Sequence, residues 1–383
     1  KMLVCGASLL LGLLLRAGAG QPSTVPLGDL GQIQVCAANI IRITRWPNHA
    51  TKSRGRQSLI ARQTWPEVWH QVTETDEDVT VTTKELTLTF SKTSGTGSFA
   101  DASSGKVILS EAAHSFKAVT DLGHASYEIR QSWSGPAEEG LYGGGSFQNG
   151  LINYKHAPIS LIQFNLEAVV PFFASSAGYG LLWDNYAWTY LNPPTPETAL
   201  AKPSTAKAQS GEVMFQPTTS GDHFFHMGRL MDDSSKPMWG GGHETFVTVQ
   251  AEEGGSEIVA IQWTKDEQNH PSSLTGRVEN MKAGRRYRVR FSFDTPGAGL
   301  YVQGPDHDSG RTTLRSSLAE AIDYYFVKGP RMDDVIAGYR SITGVAPLYG
   351  KYAFGFWQCR EHYASQAELL EAAHGFRDRS IPV

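Results

Sequence analysis

The feature that most constrains this chain is a two-residue alternation of apolar and polar side chains. "IQVCAANIIRITRW" (33–46) and "VTVTTKELTLTF" (79–90) both carry it, the first enriched in β-branched residues. Side chains on a strand point alternately to opposite faces, so such runs predict strands with one face buried. Turn clusters separate them. "SKTSGTGSFADASSGKVIL" (91–109) reads as a Ser/Gly-rich turn followed by another strand. Short strands at this spacing predict a β-sandwich from about Leu27 to Tyr190. No repeat of 20–50 residues is visible. Of 383 residues, 40% are apolar and 19% charged, which supports a sizeable core. The nine Trp, fourteen Tyr and seventeen Phe fill such cores and also suit sugar rings. A net charge of −4 gives no footprint for nucleic acid or an anionic membrane.

Residues 1–20, "KMLVCGASLLLGLLLRAGAG", have the form of a secretory signal: a charged start, an apolar run from Leu3 to Leu15, and small residues for cleavage. The run is too short for a membrane anchor, and Arg16 ends it. A periplasmic or secreted protein is expected. Cys5 belongs to the signal. Cys36 and Cys359 fall in different domains, with no disulfide expected and Cys36 read as a small buried hydrophobe. No CxxC, HExxH or clustered His/Cys spacing suggests a metal, and no cofactor is indicated.

"NPPTPETALAKPSTAKAQSG" (192–211) reads as an exposed linker. A second β-rich block follows, with strands expected in "EVMFQPTTSGDHFFHM", "ETFVTVQ", "EIVAIQW" and "GRRYRVRFSFD". Val335, Ile336, Tyr339 and Ile342 then fall at helical spacing, behind Asp333 and Asp334, which suit a helix N-terminus. At 351–358, "KYAFGFWQ" is apolar without alternation, as in a strand buried on both faces of a parallel sheet. Ser365 and Glu368 form an S-x-x-E capping box, and a helix is expected to run to about Arg377. "SIPV" reads as the next strand. Strand, loop, helix and strand make the unit of a (β/α) fold, whose chemistry sits on the loops after the strands.

That loop, "CREHYAS", places Trp357, Cys359, Arg360, Glu361, His362 and Tyr363 close together. Arg and Glu can hold sugar hydroxyls, and Trp and Tyr can pack on a sugar ring. The alternative is an ordinary strand end with a surface ion pair. The Cys359/His362 spacing is not diagnostic of nucleophilic catalysis. "LYGGGSFQNGLINYKH" (141–156) lacks the Gly-Lys-Ser/Thr of a phosphate cradle and reads as a turn where backbone passes close to backbone. Asp184 and Asn185 end the strand "LLW"; a turn and a binding role are both open. No two carboxylates have the spacing of an acid/base pair.

These residues resemble glycoside hydrolase family 31. "DYYFVKG" (323–329), "YRSITG" (339–344), "GFWQCREHY" (355–363) and the later "RSIP" look like the approach to that family's catalytic barrel. "LYGGGSFQNGLINY" and "VVPFFASSAGYGLLWDN" resemble its N-terminal sandwich, with Gly144 where the family has Leu. "GEVMFQPTTSGDHFFHMG" and "MKAGRRYRVRFSF" resemble a PA14 domain. The resemblance implies a mostly β chain. Residues 21–200 would be a galactose-mutarotase-like sandwich and 201–305 a PA14-like insert. Residues 306–345 would return to the sandwich and add a connecting helix, and 346–383 would start a truncated (β/α)8 TIM barrel. It implies a retaining exo-α-glycosidase, first an α-xylosidase trimming xyloglucan-type oligosaccharides, with α-glucosidase or α-galactosidase as alternatives. A non-catalytic carbohydrate-binding β protein is the reading of another class. The family's nucleophile and acid/base aspartates lie on later barrel strands, so none is assigned in this chain. Sugar-binding roles fall on Trp357, Arg360, Glu361 and Tyr363, with Asp184 and Asn185 facing the barrel mouth. Glu361 stands where α-glucosidases often have an aromatic.

Overall fold

The computed structural model describes residues 23–47, 58–163, 167–204, 208–230, 244–264 and 274–382. The expected signal lies outside them. The chain divides into two compact units, one ending at Thr343 and one starting at Gly344.

Among the described residues of the first unit, every strand pairing is antiparallel. One sheet has seven strands, in the order Thr24–Pro26, Gly31–Ala37, Ile40–Arg45, Ile322–Lys328, Tyr179–Trp183, Ala168–Ser175 and Leu141–Ser146. The other has nine: Ile159–Leu161, Thr189–Leu191, Thr312–Ala319, His124–Ser134, Val107–Asp121, Thr96–Asp101, Leu86–Ser91, Asp78–Thr83 and His70–Glu74. The predicted alternation explains their facing. Ile33, Val35, Ile41 and Ile43 of the first sheet enter one core with Val81, Leu88, Phe90 and Phe99 of the second. Aromatic rings bridge the sheets: Phe99 stacks on Phe326 at 4.0 Å, and Trp133 meets Trp183 edge-on at 6.1 Å. Thr96–Asp101 is a strand inside the stretch read as a single turn, and it delivers Phe99.

The seven-stranded sheet is buried on its other face too. Helix α1 (Met332–Thr343) lays Val335 and Ile342 against Cys36, Phe172, Leu182, Tyr325 and Val327. Tyr339 stacks on Phe172 at 4.4 Å. Double burial accounts for the apolar run "GLLW", and for "IDYYFV" with its single charge Asp323, in an antiparallel sheet. Cys36 is buried and free, as its setting predicted.

Two four-stranded sheets lie between Leu191 and Thr312. One runs Ala199–Ala201, Gly299–Gln303, Gly221–Gly228, Leu274–Met281; the other runs Gln209–Phe215, Tyr287–Phe293, Glu244–Ala251, Ile258–Thr264. They enclose a core of their own around Phe225, Val247, Val289, Phe293 and Leu300. Thr189 pairs with Ser316, so the chain leaves the nine-stranded sheet and returns beside the strand it left. That is the topology of an insertion.

The expected linker is corrected in part. Asn192, Pro193 and Pro194 are buried, and Ala199–Ala201 is a strand. Asn192 is a clamp: its Nδ2 donates to the carbonyls of Tyr154 (3.2 Å) and Ala157 (3.1 Å), and its Oδ1 accepts from Thr313 N–H (3.1 Å). The glycine run 143–145 lies in a strand rather than a turn, but the close backbone approach holds. A Cβ on Gly145 would sit 1.9 Å from the Ala168 carbonyl oxygen.

In the second unit the expected strand at 351–358 is not formed. Lys351–Phe354 is a 3₁₀ turn, irregular chain follows, and Phe354 is 77% exposed. A strand needs a neighbour for its backbone groups, and 344–382 contain no other strand. Helix α2 (Gln366–Asp378) starts as predicted: Ser365 Oγ accepts from Glu368 N–H at 3.2 Å, and Glu368 Oε2 accepts from Ala364 N–H at 2.8 Å. The second expected strand is also absent over its described residues. Ser380 instead adopts φ 55° and closes α2, with Ser380 N–H on Arg377 O and Ile381 N–H on Phe376 O, both 2.9 Å.

Candidate functional site

The loop between Phe354 and α2 carries the sugar-binding candidates on exposed chain. The capping glutamate organises it. Glu368 Oε2 holds the Ala364 N–H, while Oε1 pairs with the Arg360 guanidinium at 2.5 Å. Arg360 also lies over the Tyr363 ring, 5.2 Å from its centroid. Gln358 Nε2 donates to the Tyr363 hydroxyl at 3.0 Å. Arg360 and Tyr363 therefore form one small platform. Trp357 stands apart from it: Nε1 donates to Ala353 O at 3.1 Å, and the residue stays 66% exposed. Glu361 is exposed, with no partner among the described residues. Cys359 is exposed and free. A planar fork, a free carboxylate and two accessible aromatic rings can bind a polyol. They contain no pair of carboxylates that could perform acid/base hydrolysis.

Asp184 and Asn185 belong to the first unit. They follow the strand Tyr179–Trp183 and are almost wholly buried. Asn185 is committed to its own turn: Oδ1 accepts from Ala187 N–H (2.8 Å) and Nδ2 donates to Leu318 O (3.1 Å). Asp184 N–H donates to Asp323 O at 2.9 Å. Its side chain differs, since Oδ1 has no hydrogen-bond partner among the described residues.

Sequence reasoning missed the neighbours that make this corner charged. Arg42 reaches Asp323 through Nε (2.8 Å) and Nη2 (2.5 Å), and its guanidinium lies 5.1 Å from the Tyr325 ring centroid. Burial pulls the Arg42 pKa down, but the hydrogen bonds and charge of Asp323 outweigh it, so the net shift is upward. The available signal was a single charge inside each apolar run, "IIRIT" and "AIDYYF". A charge carried into a core must be paired.

Residues 31–192 match the glycosyl hydrolase 31 N-terminal galactose mutarotase-like domain. Over 106 residues the chain is 52% identical to an alpha-xylosidase of Saccharolobus solfataricus, covering 26% of this chain and 14% of that protein. Over 119 residues it is 41% identical to alpha-glucosidase 2 of Bacillus thermoamyloliquefaciens, covering 30% and 14%. The backbone resembles the crystal structure of a GH31 alpha-xylosidase from Xanthomonas citri, with a TM-score of 0.68 and 26% identity. That match covers 95% of this chain and 44% of that one. The chain thus spans less than half the length of that structure, and its matched stretches are a small part of either relative.

Proposed function

Since this chain carries the N-terminal domain of glycosyl hydrolase family 31, we propose that it is part of a retaining exo-α-glycosidase that removes terminal α-xylose from xyloglucan-type oligosaccharides. The observation that carries the xylose reading is the 52% identity to an alpha-xylosidase. The similarity to alpha-glucosidase 2 makes α-glucose the second reading.

In this reading residues 346–383 are the first βα segment of the catalytic barrel, and the apolar run at 352–357 finds strand partners in the whole protein. Trp357 and Tyr363 pack on the C–H face of the terminal sugar, while Arg360 and Glu361 hold its hydroxyls. Two aspartates elsewhere in the whole protein do the chemistry. One attacks the anomeric carbon and the other protonates the leaving oxygen. The second then activates water against the covalent intermediate, the two carboxyl groups standing about 5–5.5 Å apart. The insert between Leu191 and Thr312 is read as a PA14-like module that lengthens the glycan-binding surface. Residues 1–20 direct the protein to the periplasm or the outside.

The test is a panel of 4-nitrophenyl α-D-xyloside, α-D-glucoside and α-D-galactoside with the whole protein. The xyloside should give the highest kcat/KM. A preferred glucoside would replace xylose with the second reading, and no turnover on any of the three would overturn the enzyme reading.

A further inference from the structure

The strand Gly299–Gln303 ends at a cleft of about 590 Å³ within the first unit. Arg130 of the nine-stranded sheet lines it, together with Glu197, Phe215, His223, Gln303 and Asp306 from the insert and its connections. Its volume falls in the range of small-molecule sites, about 300–1,000 Å³.

Two lining side chains are buried yet keep a polar atom unused among the described residues. His223 is 2% exposed. Its Nδ1 lies 3.0 Å from Gly221 O, so Nδ1 holds the proton and Nε2 is left as an acceptor. Burial lowers the pKa of this ring and keeps it neutral at pH 7. Gln303 is 1% exposed. Its Nε2 donates to Asn192 O and Pro193 O, at 3.3 and 3.4 Å, and its Oε1 has no partner. Gln303 Oε1 is a buried acceptor left unsatisfied, which costs about 1–3 kcal/mol, and His223 Nε2 lies at the same cleft; together they ask for a ligand.

Gly304 keeps the corner open. A Cβ there would lie 2.6 Å from His223 Nε2 and 3.1 Å from Asp306 Oδ1, so the ring nitrogen and a carboxylate oxygen converge on one point. The other Asp306 oxygen accepts from Thr218 Oγ1 at 2.7 Å. Arg130 pairs with Asp308 through Nη2 at 2.7 Å and has further N–H groups to offer. Phe215 meets the His223 ring edge-on at 5.7 Å and adds an apolar wall.

The donor set decides the ligand class. Among the described residues no three His, Cys, Asp or Glu side chains are placed to hold a metal ion. A neutral imidazole nitrogen, an amide oxygen and a carboxylate oxygen all require O–H or N–H donors. Hydroxyl groups on a ring with an apolar C–H face satisfy them and match Phe215. We propose that this cleft binds one or two neutral pyranose units, whose hydroxyls donate to His223 Nε2, Gln303 Oε1 and Asp306 Oδ1. It would take sugar whether or not the protein hydrolyses glycosides.

The experiment is calorimetric titration of the full chain with D-xylose, D-glucose and cellobiose, in a Trp357→Ala background that weakens the exposed loop. At least one probe should bind saturably, with a Kd on the order of millimolar for so small a ligand. Gln303→Leu and Gly304→Ala should each weaken it about tenfold or more. Asp306→Asn, at an exposed position, should do the same and serves if the buried variants do not fold. No binding of any probe up to about 50 mM, or unchanged affinity in a folded Asp306→Asn variant, would overturn the proposal.

Discussion

Lys155→Met tests whether buried charge locks the sandwich. Lys155 and Glu139 are both buried, with Nζ 2.7 Å from Oε1. Glu139 Oε2 accepts from the Ser175 hydroxyl at 2.6 Å and the Tyr179 hydroxyl at 2.7 Å. Lys155 Nζ also reaches Thr312 Oγ1 at 3.3 Å. The network thus ties Glu139 to Thr312, the first residue of the strand that receives the chain after the insert. Methionine keeps the apolar stem and removes the charge, leaving a buried carboxylate with two hydroxyl donors. Breaking a buried pair by losing one partner costs about 3–5 kcal/mol. At a urea slope of about 3 kcal/mol/M, the midpoint should fall by about 1 M or more. Urea unfolding followed by the buried Trp133 and Trp183 reads it directly. Glu139→Gln should cost a similar amount by stranding the ammonium. The double variant should cost less than the sum, by at least about 1 kcal/mol, because neither charge is then left alone. A Lys155→Met loss below about 1 kcal/mol, or strict additivity, would refute the reasoning.

Three further predictions concern other parts of the molecule. Burial lowers the pKa of His226 to about 3 and that of His156 to about 4, with the Lys155 charge adding to the second. Both folded values lie below the ordinary 6.5, so unfolded chain takes up more protons below that pH. The stability they contribute is complete above about pH 6.5 and is lost as pH falls towards the folded values. Between pH 6.5 and 5 the fully buried His226 alone should cost about 2 kcal/mol. Urea midpoints across pH 7 to 5 check this, and a flat profile contradicts it. Gly338→Ala should destabilise, although alanine is favoured over glycine in a helix by about 1 kcal/mol. The added Cβ would lie 2.3 Å from Val327 Cγ1, where α1 meets the sheet; a raised melting temperature would contradict it. Trp357→Ala in the whole protein should raise KM for an aryl α-glycoside several-fold, and unchanged steady-state kinetics would remove Trp357 from the sugar site.

Much of the sandwich was legible because one-sided burial writes itself as alternation. Gly31–Ala37, Ile40–Arg45, Asp78–Thr83 and Leu86–Ser91 all fall where that pattern predicted. Both helices were legible too, α1 from its apolar spacing and α2 from Ser365 and Glu368. Apolar runs were legible only in part. "LLW" forms the expected strand, beside "IDYYFV", which Asp323 alone interrupts, and α1 roofs both, whereas "YAFGFW" is no strand, and composition does not separate the cases. Partners decide them. The loop before α2 was visible as a cluster of functional groups, but its wiring was not: Glu368 serves the helix cap and Arg360 at once. The Arg42–Asp323 pair joins residues 281 apart in sequence. Only the strand order, with Ile40–Arg45 beside Ile322–Lys328, brings them together.

The most direct measurement is ¹H NMR of the whole protein acting on a xyloglucan heptasaccharide. A retaining exo-α-xylosidase releases free xylose whose α-anomer signal appears first, the β signal growing later by mutarotation. Initial β-xylose would contradict retention, glucose in place of xylose would contradict the assigned sugar, and an unchanged oligosaccharide would contradict the hydrolase itself.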